Sequence, residues 1–454
     1  MRRDGRKGAV SSARTVLVAA LLTAGRASGE EPATESAQAP AAPALVALVA
    51  PPAASAGPRV VVSGYVHADW TVFRQTSQDE VNPDGQPLNE DRFVLRRARL
   101  RVAADHGLTC GAIEIDANTV RDLQVRPINA EASLKWPEAH PAYEPAGDLR
   151  PLPAPPWIMV TAGLIHTPFG FEASEVARRR PFLEQTTMSS AFFPGQYDLG
   201  LRVVGGFKLI DYALGIMNGA PIGERAFPGR DPKRSKDLIF RVGAASDLTD
   251  AVRLEGGLSG LTGRGFHKGK AATTDQLVWR DVDEDGVVQP IELQSIKGAP
   301  AEPSATFKRF GIGADVRVFV KLPVIGELAL RAELVRASNL DRGLMVADPI
   351  ASSHDLRELG WYVGGTQEIT RWAQVGVRYD HYNPDSDATE REPFALVPRD
   401  PSLSTWSFMV AGRVPFGRLI AQYDLRQNAR GRDVAGKPTT LADDSFTLRA
   451  EARF

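Results

Sequence analysis

The feature that most constrains this chain is a two-residue alternation of apolar and polar side chains. On the last ten residues, one face of an extended chain carries Phe446, Leu448, Ala450, Ala452 and Phe454, and the residues between them are polar or charged. Similar segments of roughly 9–12 residues recur from residue 60 onward, whereas strands of soluble sheets average about 5–6 residues. A strand that crosses a membrane at a tilt needs about 9–11 residues. A soluble β-sandwich also alternates, but the strand length and the charges of both signs on the polar face favour a membrane barrel with a wet interior.

Sixteen segments fit this pattern, so we predict an all-β fold: a transmembrane antiparallel β-barrel of about 16 strands. The predicted strands are 60–72, 92–103, 109–118, 129–136, 157–166, 197–208, 211–218, 237–246, 251–260, 307–321, 327–337, 357–367, 372–382, 404–415, 418–427 and 445–454. Single-chain bacterial barrels have even strand numbers, short periplasmic turns and long extracellular loops. Residues 137–156, with seven prolines, are long where a short turn is expected. Either this segment is an insertion, or the count near the third to fifth strands is off.

The N-terminal region predicts export. Basic residues precede an apolar run at 15–24, and Ala27-Ser28-Gly29 offers a small-residue cleavage site, so we assign residues 1–29 to a signal peptide. A buried hydrophobic helix is the alternative for that run. Residues 30–58 form an Ala/Pro-rich flexible linker, with cleavage after Ala56 also open, and residues 59–454 form the barrel. We therefore expect the outer membrane of a Gram-negative bacterium.

Composition excludes some functions and favours another. Cys110 is the only cysteine, so the chain forms no internal disulfide and no cysteine-cluster metal site. The net charge of −1 gives no reason to expect nucleic acid as a partner. Of the 54 basic residues, 11 are lysine and the other 43 are arginine, whose planar group of donors suits carboxylates and phosphates.

Three stretches resemble a known family. They are the arginine-rich segment 92–100, the segment 163–172 with its Pro-Phe-Gly-Phe-Glu motif, and the segment 193–202 with Phe-Pro-Gly and the later Asp198, Gly200 and Arg202. In this order and spacing they are similar to the phosphate-selective porin O/P family of outer-membrane channels. The C-terminal Phe454 is also typical of outer-membrane barrels, and we expect the barrel-assembly machinery to recognise it. The resemblance implies a homotrimer, a third extracellular loop folded into the pore, and passage of anions along basic side chains.

Arginines on polar strand faces and in the long 167–196 connection are the candidate pore residues. A channel that favours anions needs fixed positive charge where the lumen is narrow. The candidates are Arg97, Arg99, Arg101, Arg178, Arg179, Arg180, Arg202, Arg241, Arg317, Arg331, Arg378 and Arg413. Any one of them could instead be a solvated wall residue paired with an acid. Acidic residues share these faces, among them Glu114, Glu131, Asp315 and Glu333, so we expect a mixed lumen and a modest anion preference.

A second motif lies in the longest predicted loop, residues 261–306, on the extracellular side. Residues 281–292 match the calcium-loop template at every position. The predicted ligands of Ca²⁺ are Asp281, Asp283, Asp285, the backbone of Val287, and Glu292. No flanking helices are apparent, so this would be an isolated loop; a solvated acidic loop is the alternative.

The sequence gives little support for catalysis. The seven histidines show no metal-ligand spacing, and there is no Gly-x-Ser-x-Gly motif. We predict a diffusion channel for small anionic or polar solutes, with some preference for anions such as phosphate. The outside of the barrel would be in contact with outer-membrane lipid. The alternatives are a non-selective or carbohydrate porin, a surface structural or adhesive barrel, and a lipid-modifying outer-membrane enzyme.

Overall fold

The computed structural model describes residues 57–74, 77–81, 87–137, 156–224, 230–392, 395–429, 431–432 and 438–454. The predicted signal peptide, almost all of the linker and nearly all of the proline-rich segment 137–156 lie outside the described residues. No helix in the described part is long and apolar enough to cross a membrane.

Sixteen antiparallel strands close into one barrel, which confirms the predicted fold class and strand number. The strands are β1 (Arg59–Phe73), β2 (Arg92–His106), β3 (Thr109–Asn118), β4 (Gln124–Trp136), β5 (Ile158–His166), β6 (Tyr197–Phe207), β7 (Ile210–Met217), β8 (Asp237–Asp247), β9 (Val252–His267), β10 (Ala305–Leu322), β11 (Gly326–Ser338), β12 (Arg357–Thr370), β13 (Ala373–Asn383), β14 (Leu403–Val414), β15 (Gly417–Gln427) and β16 (Ser445–Arg453). Two short helices lie in connections, α1 (Thr187–Phe192) and α2 (Pro349–Ser352).

Four small two-stranded ladders lie outside the barrel sheet, in the long connections. They pair Ser77–Val81 with Pro87–Asn89, Gln276–Trp279 with Leu293–Ile296, Thr389–Glu392 with Ala395–Pro398, and Gly431–Arg432 with Pro438–Thr439. Two 3₁₀ turns, Ala177–Arg179 and Pro290–Glu292, complete the regular structure of the described residues.

The ends of the chain close the barrel. β1 pairs with β16 from Tyr65 opposite Arg453 to Phe73 opposite Ser445. The ladder continues through the last residue, because Gly64 N donates to the Phe454 carbonyl at 2.8 Å and Phe454 N donates back at 3.0 Å. The Phe454 ring lies against Gly64, where an added Cβ would come within 2.3 Å of it. Closure leaves the barrel sheet without a free strand edge. A free edge would expose unpaired backbone groups to the bilayer, which is energetically costly.

The alternation seen in the sequence separates the two faces of the wall. In β16 the polar set Ser445, Thr447, Arg449, Glu451 and Arg453 is buried inside the barrel, and Phe446, Ala450 and Ala452 are exposed outside. The same exposure of large apolar side chains recurs around the barrel, for example at Leu258 and Ile312. The exterior is therefore suited to lipid, and the polar groups are collected inside, where they find partners.

Two predicted boundaries are wrong. β4 begins at Gln124, five residues before the predicted start, because Pro127 and a bulge between Glu114 and Ile115 interrupt the alternation without ending the strand pairing. The predicted loop 261–306 is shorter than expected, because β9 continues to His267 and β10 begins at Ala305.

Beyond that point the two chain segments keep the same pairing register as one long ribbon. Lys270 is opposite Glu302, and Gln276–Trp279 pairs with Leu293–Ile296. The calcium-like motif therefore lies at the tip of this ribbon and not in an irregular loop.

Candidate functional site

Residues 167–196, which we call the inner loop, follow β5 and fold into the barrel. Backbone N–H groups of the loop donate to side chains of three wall strands: Gly170 to Ser259 Oγ at 3.0 Å, Leu183 to Gln422 Oε1 at 3.0 Å, and Thr187 to Asp380 Oδ1 at 3.3 Å. The loop therefore runs across the interior from β9 toward β15.

Apolar burial holds the inner loop inside. One buried cluster joins its Phe169, Met188 and Phe192 to Val335 and Tyr382 of the wall. A second cluster joins its Phe182 and Leu183 to Met409, Ala411 and Ile420. Burying each large apolar side chain contributes roughly 1.5–3 kcal/mol. Burial of these side chains therefore favours the docked position of the loop.

The Pro-Phe-Gly-Phe-Glu motif is the anchor of this loop. Gly170 has a φ of +59°, and a Cβ added there would lie 1.9 Å from Glu333 Oε1. The ring of Phe171 lies under the Arg317 guanidinium at 3.5 Å. Glu172 accepts a hydrogen bond from Thr186 N at 3.1 Å and forms an ion pair with Arg378 at 3.3 Å. The motif therefore serves to fix the start of the loop against the wall.

The third family-like stretch, residues 193–202, has a similar structural role. Phe193 is buried, and Gly195 has a φ of +71° at a place where a Cβ would lie 1.7 Å from the Ile222 carbonyl oxygen. Asp198 accepts a hydrogen bond from Gly219 N at 2.7 Å, and Arg202 donates to the His166 carbonyl at 3.2 Å. These residues position the end of the inner loop and the neighbouring connection.

The three arginines of the second strand face the lumen, and each is paired. Two nitrogens of Arg97 bond Glu184 at 2.9 and 2.6 Å. Arg99 bonds Asp116 at 3.2 Å. Arg101 bonds Glu131 at 2.7 Å and Glu114 at 3.3 Å. Their positive charge is thus largely balanced where they stand.

Five of the predicted arginines on later strands are balanced in the same way. The pairs are Arg241 with Asp315 at 2.7 Å, Arg317 with Glu255 at 2.5 Å, Arg331 with Glu175 at 3.2 Å, Arg378 with Glu172 at 3.3 Å, and Arg413 with Glu368. Two of the partners, Glu172 and Glu175, belong to the inner loop. Arg331 and Arg378 of the wall therefore bind the inner loop.

Arg180 differs from these paired arginines. Its side chain is on the inner loop and only 4% of the residue is exposed. Nη2 donates to the Glu175 carbonyl at 3.0 Å, and among the described residues no carboxylate oxygen lies within 4.0 Å of its guanidinium. Burial and the charge of Arg97 lower the pKa of Arg180 to about 10, so the group stays positive at neutral pH. Arg178 and Arg179 lie beside it on a 3₁₀ turn, both half-buried.

Glu184 connects several of these arginines and is not among the residues predicted from the sequence. Its carboxylate is shared by Arg96 at 3.0 Å, Arg97 at 2.6 Å and Arg449 at 2.8 Å. Burial raises the pKa of Glu184, but these three guanidinium groups outweigh burial and hold the pKa well below its usual range. No sequence signal points to it, because its partners come from β2 and β16, far from residue 184 in the chain.

The calcium-like motif is partly assembled. Carboxylate oxygens of Asp281, Asp283 and Asp285 all lie within 4.8 Å of one another, and Gly286 N donates to Asp281 Oδ2 at 2.9 Å across a turn with a φ of +71°. The Val287 backbone follows this turn, and its N donates to Asp285 Oδ1 at 2.7 Å.

Glu292, the fifth predicted ligand, is engaged elsewhere. Its carboxylate accepts from Trp279 Nε1 at 2.9 Å and from Val282 N at 2.8 Å, and the Trp279 bond is the main reason that the pKa of Glu292 is lowered. The three aspartates offer the hard oxygen donors that Ca²⁺ prefers. Glu292 would have to leave Trp279 to join them.

Comparison with known proteins places this geometry in a fold class. No family model and no curated protein matches the chain. Among solved structures, the outer membrane channel DcaP of Acinetobacter baumannii is similar, with a TM-score of 0.52 and 12% identity over 88% of this chain and 98% of that one. OprB of Pseudomonas putida is similar with a TM-score of 0.51 and 10% identity over 88% and 94% of the two chains.

A third similar structure is the trimer form of OmpT, an outer membrane protein of Vibrio cholerae. Its TM-score is 0.50 and its identity is 10%, over 87% of this chain and 99% of that one. The chain therefore has the fold of Gram-negative outer-membrane barrels with sixteen strands. With its apolar exterior and charged interior, it is an outer-membrane protein.

Proposed function

We propose that this protein is a porin, a passive diffusion channel for small hydrophilic solutes with a modest preference for anions such as phosphate. The observation that carries the proposal is Arg180, a buried guanidinium on a loop folded into the barrel, without a carboxylate partner among the described residues. A buried positive charge is screened less than the same charge in open water, so its field attracts anions into the neighbouring lumen more strongly.

The preference is modest because the rest of the wall is balanced. Arg97, Arg99 and Arg101 each bond a carboxylate, and five arginines of later strands do the same: Arg241, Arg317, Arg331, Arg378 and Arg413. Paired charges of opposite sign largely cancel beyond a few ångströms. A strongly basic ladder for phosphate would need more unpaired arginines than the described wall supplies.

The resemblance of the inner-loop motifs to the phosphate-selective porins supports the proposed solute class, and the trimeric form of one structural neighbour supports a homotrimer. Recognition of Phe454 by the barrel-assembly machinery stays a prediction. The absence of catalysis also stays a prediction.

The other candidate functions make different predictions. A carbohydrate or non-selective porin would conduct without anion preference. A surface adhesive barrel, with the ribbon tip as its working part, or a lipid-modifying enzyme would give no stable conductance.

The test is a reversal-potential measurement on single channels of the purified protein in a planar bilayer with a potassium chloride gradient. We expect anions to be favoured, and Arg180→Gln should lower the anion-to-cation permeability ratio by about twofold, because one fixed charge is lost where the field is focused. Arg371→Gln is the matched control, because Arg371 is exposed in the tight turn between β12 and β13, lies over the Trp372 ring and does not belong to the predicted pore set. Equal reversal potentials for wild type and Arg180→Gln would remove the anion preference from the proposal, and no conductance at all would remove the channel.

A further inference from the structure

The carboxyl group of Glu333 supports the beginning of the inner loop. Glu333 projects from β11 into the barrel and only 4% of the residue is exposed. Its Oε2 accepts a hydrogen bond from Glu172 N at 3.2 Å. Its Oε1 lies so close to Gly170 that a Cβ there would be 1.9 Å away. The loop backbone therefore rests directly on this carboxyl group.

No cation balances Glu333. Within the described ranges, no arginine, lysine or histidine nitrogen lies within 4.0 Å of its carboxyl oxygens, while the surrounding arginines are bonded to other acids: Arg241 to Asp315, Arg331 to Glu175, and Arg378 to Glu172. Its directly opposite neighbours across the sheet are Asp315 on β10 and Tyr362 on β12. Like charges directly opposite each other in a sheet repel.

The wider surroundings do not reverse this balance. The charged and titratable groups on the elements around Glu333 are Arg241 on β8, Glu255 on β9, Asp315 and Arg317 on β10, Arg331 on β11, Tyr362 on β12, Arg378 and Asp380 on β13, and Glu172, Glu175 and Arg180 on the inner loop. Without Glu333, this set holds five carboxylates and five arginines, so it has no excess positive charge, and the four wall arginines are each bonded to another acid. A buried carboxyl among acids, without a cation of its own, is more stable neutral than ionised.

We propose that Glu333 is a positioning residue that carries a proton while the inner loop is docked, and that loss of this proton at alkaline pH loosens the loop. An ionised Glu333 would add a negative charge beside the Glu172 carboxylate and opposite Asp315. The segment from Phe169 to Glu172, which the carboxyl now supports, would then separate from β11. The proposal rests on the proposed channel function for its consequence, which is a pH-dependent conductance.

The test uses the full-length protein in planar bilayers at a series of pH values from about 6 to about 10. We expect quiet wild-type currents at the acid end and at least a twofold rise in open-channel current noise at the alkaline end. Glu333→Gln should keep the quiet, acid-type current throughout, because the amide has the shape of the protonated acid and cannot ionise. Glu368→Gln is the matched control, because Glu368 has Arg413 as its partner near a tight turn, and it should keep the wild-type pH profile.

Two further measurements test the role of Glu333 independently. Proteolysis does not depend on conductance, and infrared spectroscopy does not depend on whether Glu333→Gln folds. Limited proteolysis of the folded protein in detergent should cut the inner loop faster at alkaline pH in wild type and equally at both pH values in Glu333→Gln. If Glu333→Gln does not fold, infrared spectra of wild type should still show the carbonyl band of a buried protonated carboxyl that disappears at alkaline pH. Conductance lost in all proteins with the proteolysis pattern intact would sink the porin proposal alone. A pH-independent wild type, or a Glu333→Gln profile equal to wild type, would overturn the role of Glu333.

Discussion

At the scale of single residues, pairing decides which arginines can act on a solute. Arg97 and Arg180 both belong to the predicted pore set, yet Arg97 makes two bonds to Glu184 and Arg180 has no carboxylate within 4.0 Å among the described residues. A paired arginine contributes mainly structure, because its field is cancelled nearby. Arg180 keeps its electric field because no carboxylate cancels it nearby. Its burial also lowers its pKa, to about 10.

Gly170 is the residue where backbone geometry and packing both limit substitution. We expect Gly170→Ala to loosen the inner loop, because a Cβ at a φ of +59° costs about 1–2 kcal/mol and would also meet Glu333 Oε1. The measurement is single-channel noise together with proteolysis of the loop. Gly412→Ala is the control, since a Cβ at Gly412 would meet nothing within 4 Å. Identical behaviour of the two variants would show that the close approach at Gly170 does not matter.

At the scale of elements, the inner loop and the β9–β10 ribbon show opposite ways of ordering a long connection. The inner loop is ordered by burial, through Phe169 and Phe192 and through ion pairs such as Glu172 with Arg378. The ribbon is ordered by backbone pairing, while its side chains are mostly exposed, including Leu277 and Ile291. A two-stranded ladder alone is marginally stable in water.

The tip of the ribbon should bind Ca²⁺ weakly, with a dissociation constant of roughly 10⁻⁴–10⁻³ M, as in other extracellular sites. Calorimetry should detect the ion, and chelation should speed protease cleavage between residues 280 and 292. Asp281→Ala should abolish binding, while Glu302→Ala, an acid on the same ribbon that pairs with Lys270, should leave it unchanged. Equal proteolysis with and without calcium, and no heat of binding, would reduce the motif to a solvated acidic turn.

At the scale of the whole molecule, closure between β1 and β16 is the decisive feature. Every barrel strand has two hydrogen-bonded neighbours, so the backbone has no unpaired edge. The inner loop then fills part of the interior with buried apolar clusters. The wall and the loop support each other, since the loop's acids neutralise the wall's arginines.

This architecture predicts a heat-modifiable protein. Folded in detergent, the chain should migrate in gel electrophoresis at a different position before boiling than after it, because a closed ladder resists unfolding by detergent at room temperature. Urea-unfolded protein should migrate like the boiled sample without heating. Circular dichroism dominated by helix, or identical migration before and after boiling, would contradict the barrel.

The sequence by itself determined the barrel. Side-chain alternation is a local property with a period of two, and it is read directly from segments such as 445–454, so strand number and most strand boundaries follow from it. The alternation mispredicted the start of β4, because Pro127 and a bulge interrupt the pattern there. It also mispredicted the end of β9, because the glycines within 261–267 carry no side chain that would show the alternation. The strand arginines of the predicted pore set are recognisable in the sequence as residue types on a polar face.

The tertiary structure alone decided which charges meet. Glu184 joins Arg97 of β2 to Arg449 of β16, and Glu333 supports the start of the inner loop at Glu172, 161 residues earlier in the chain. Such pairings depend on how the inner loop crosses the closed barrel, and no periodicity in the sequence records that path. The reason is physical: alternation fixes which face a side chain occupies, while ion pairing depends on distances of a few ångströms between faces that only closure brings together.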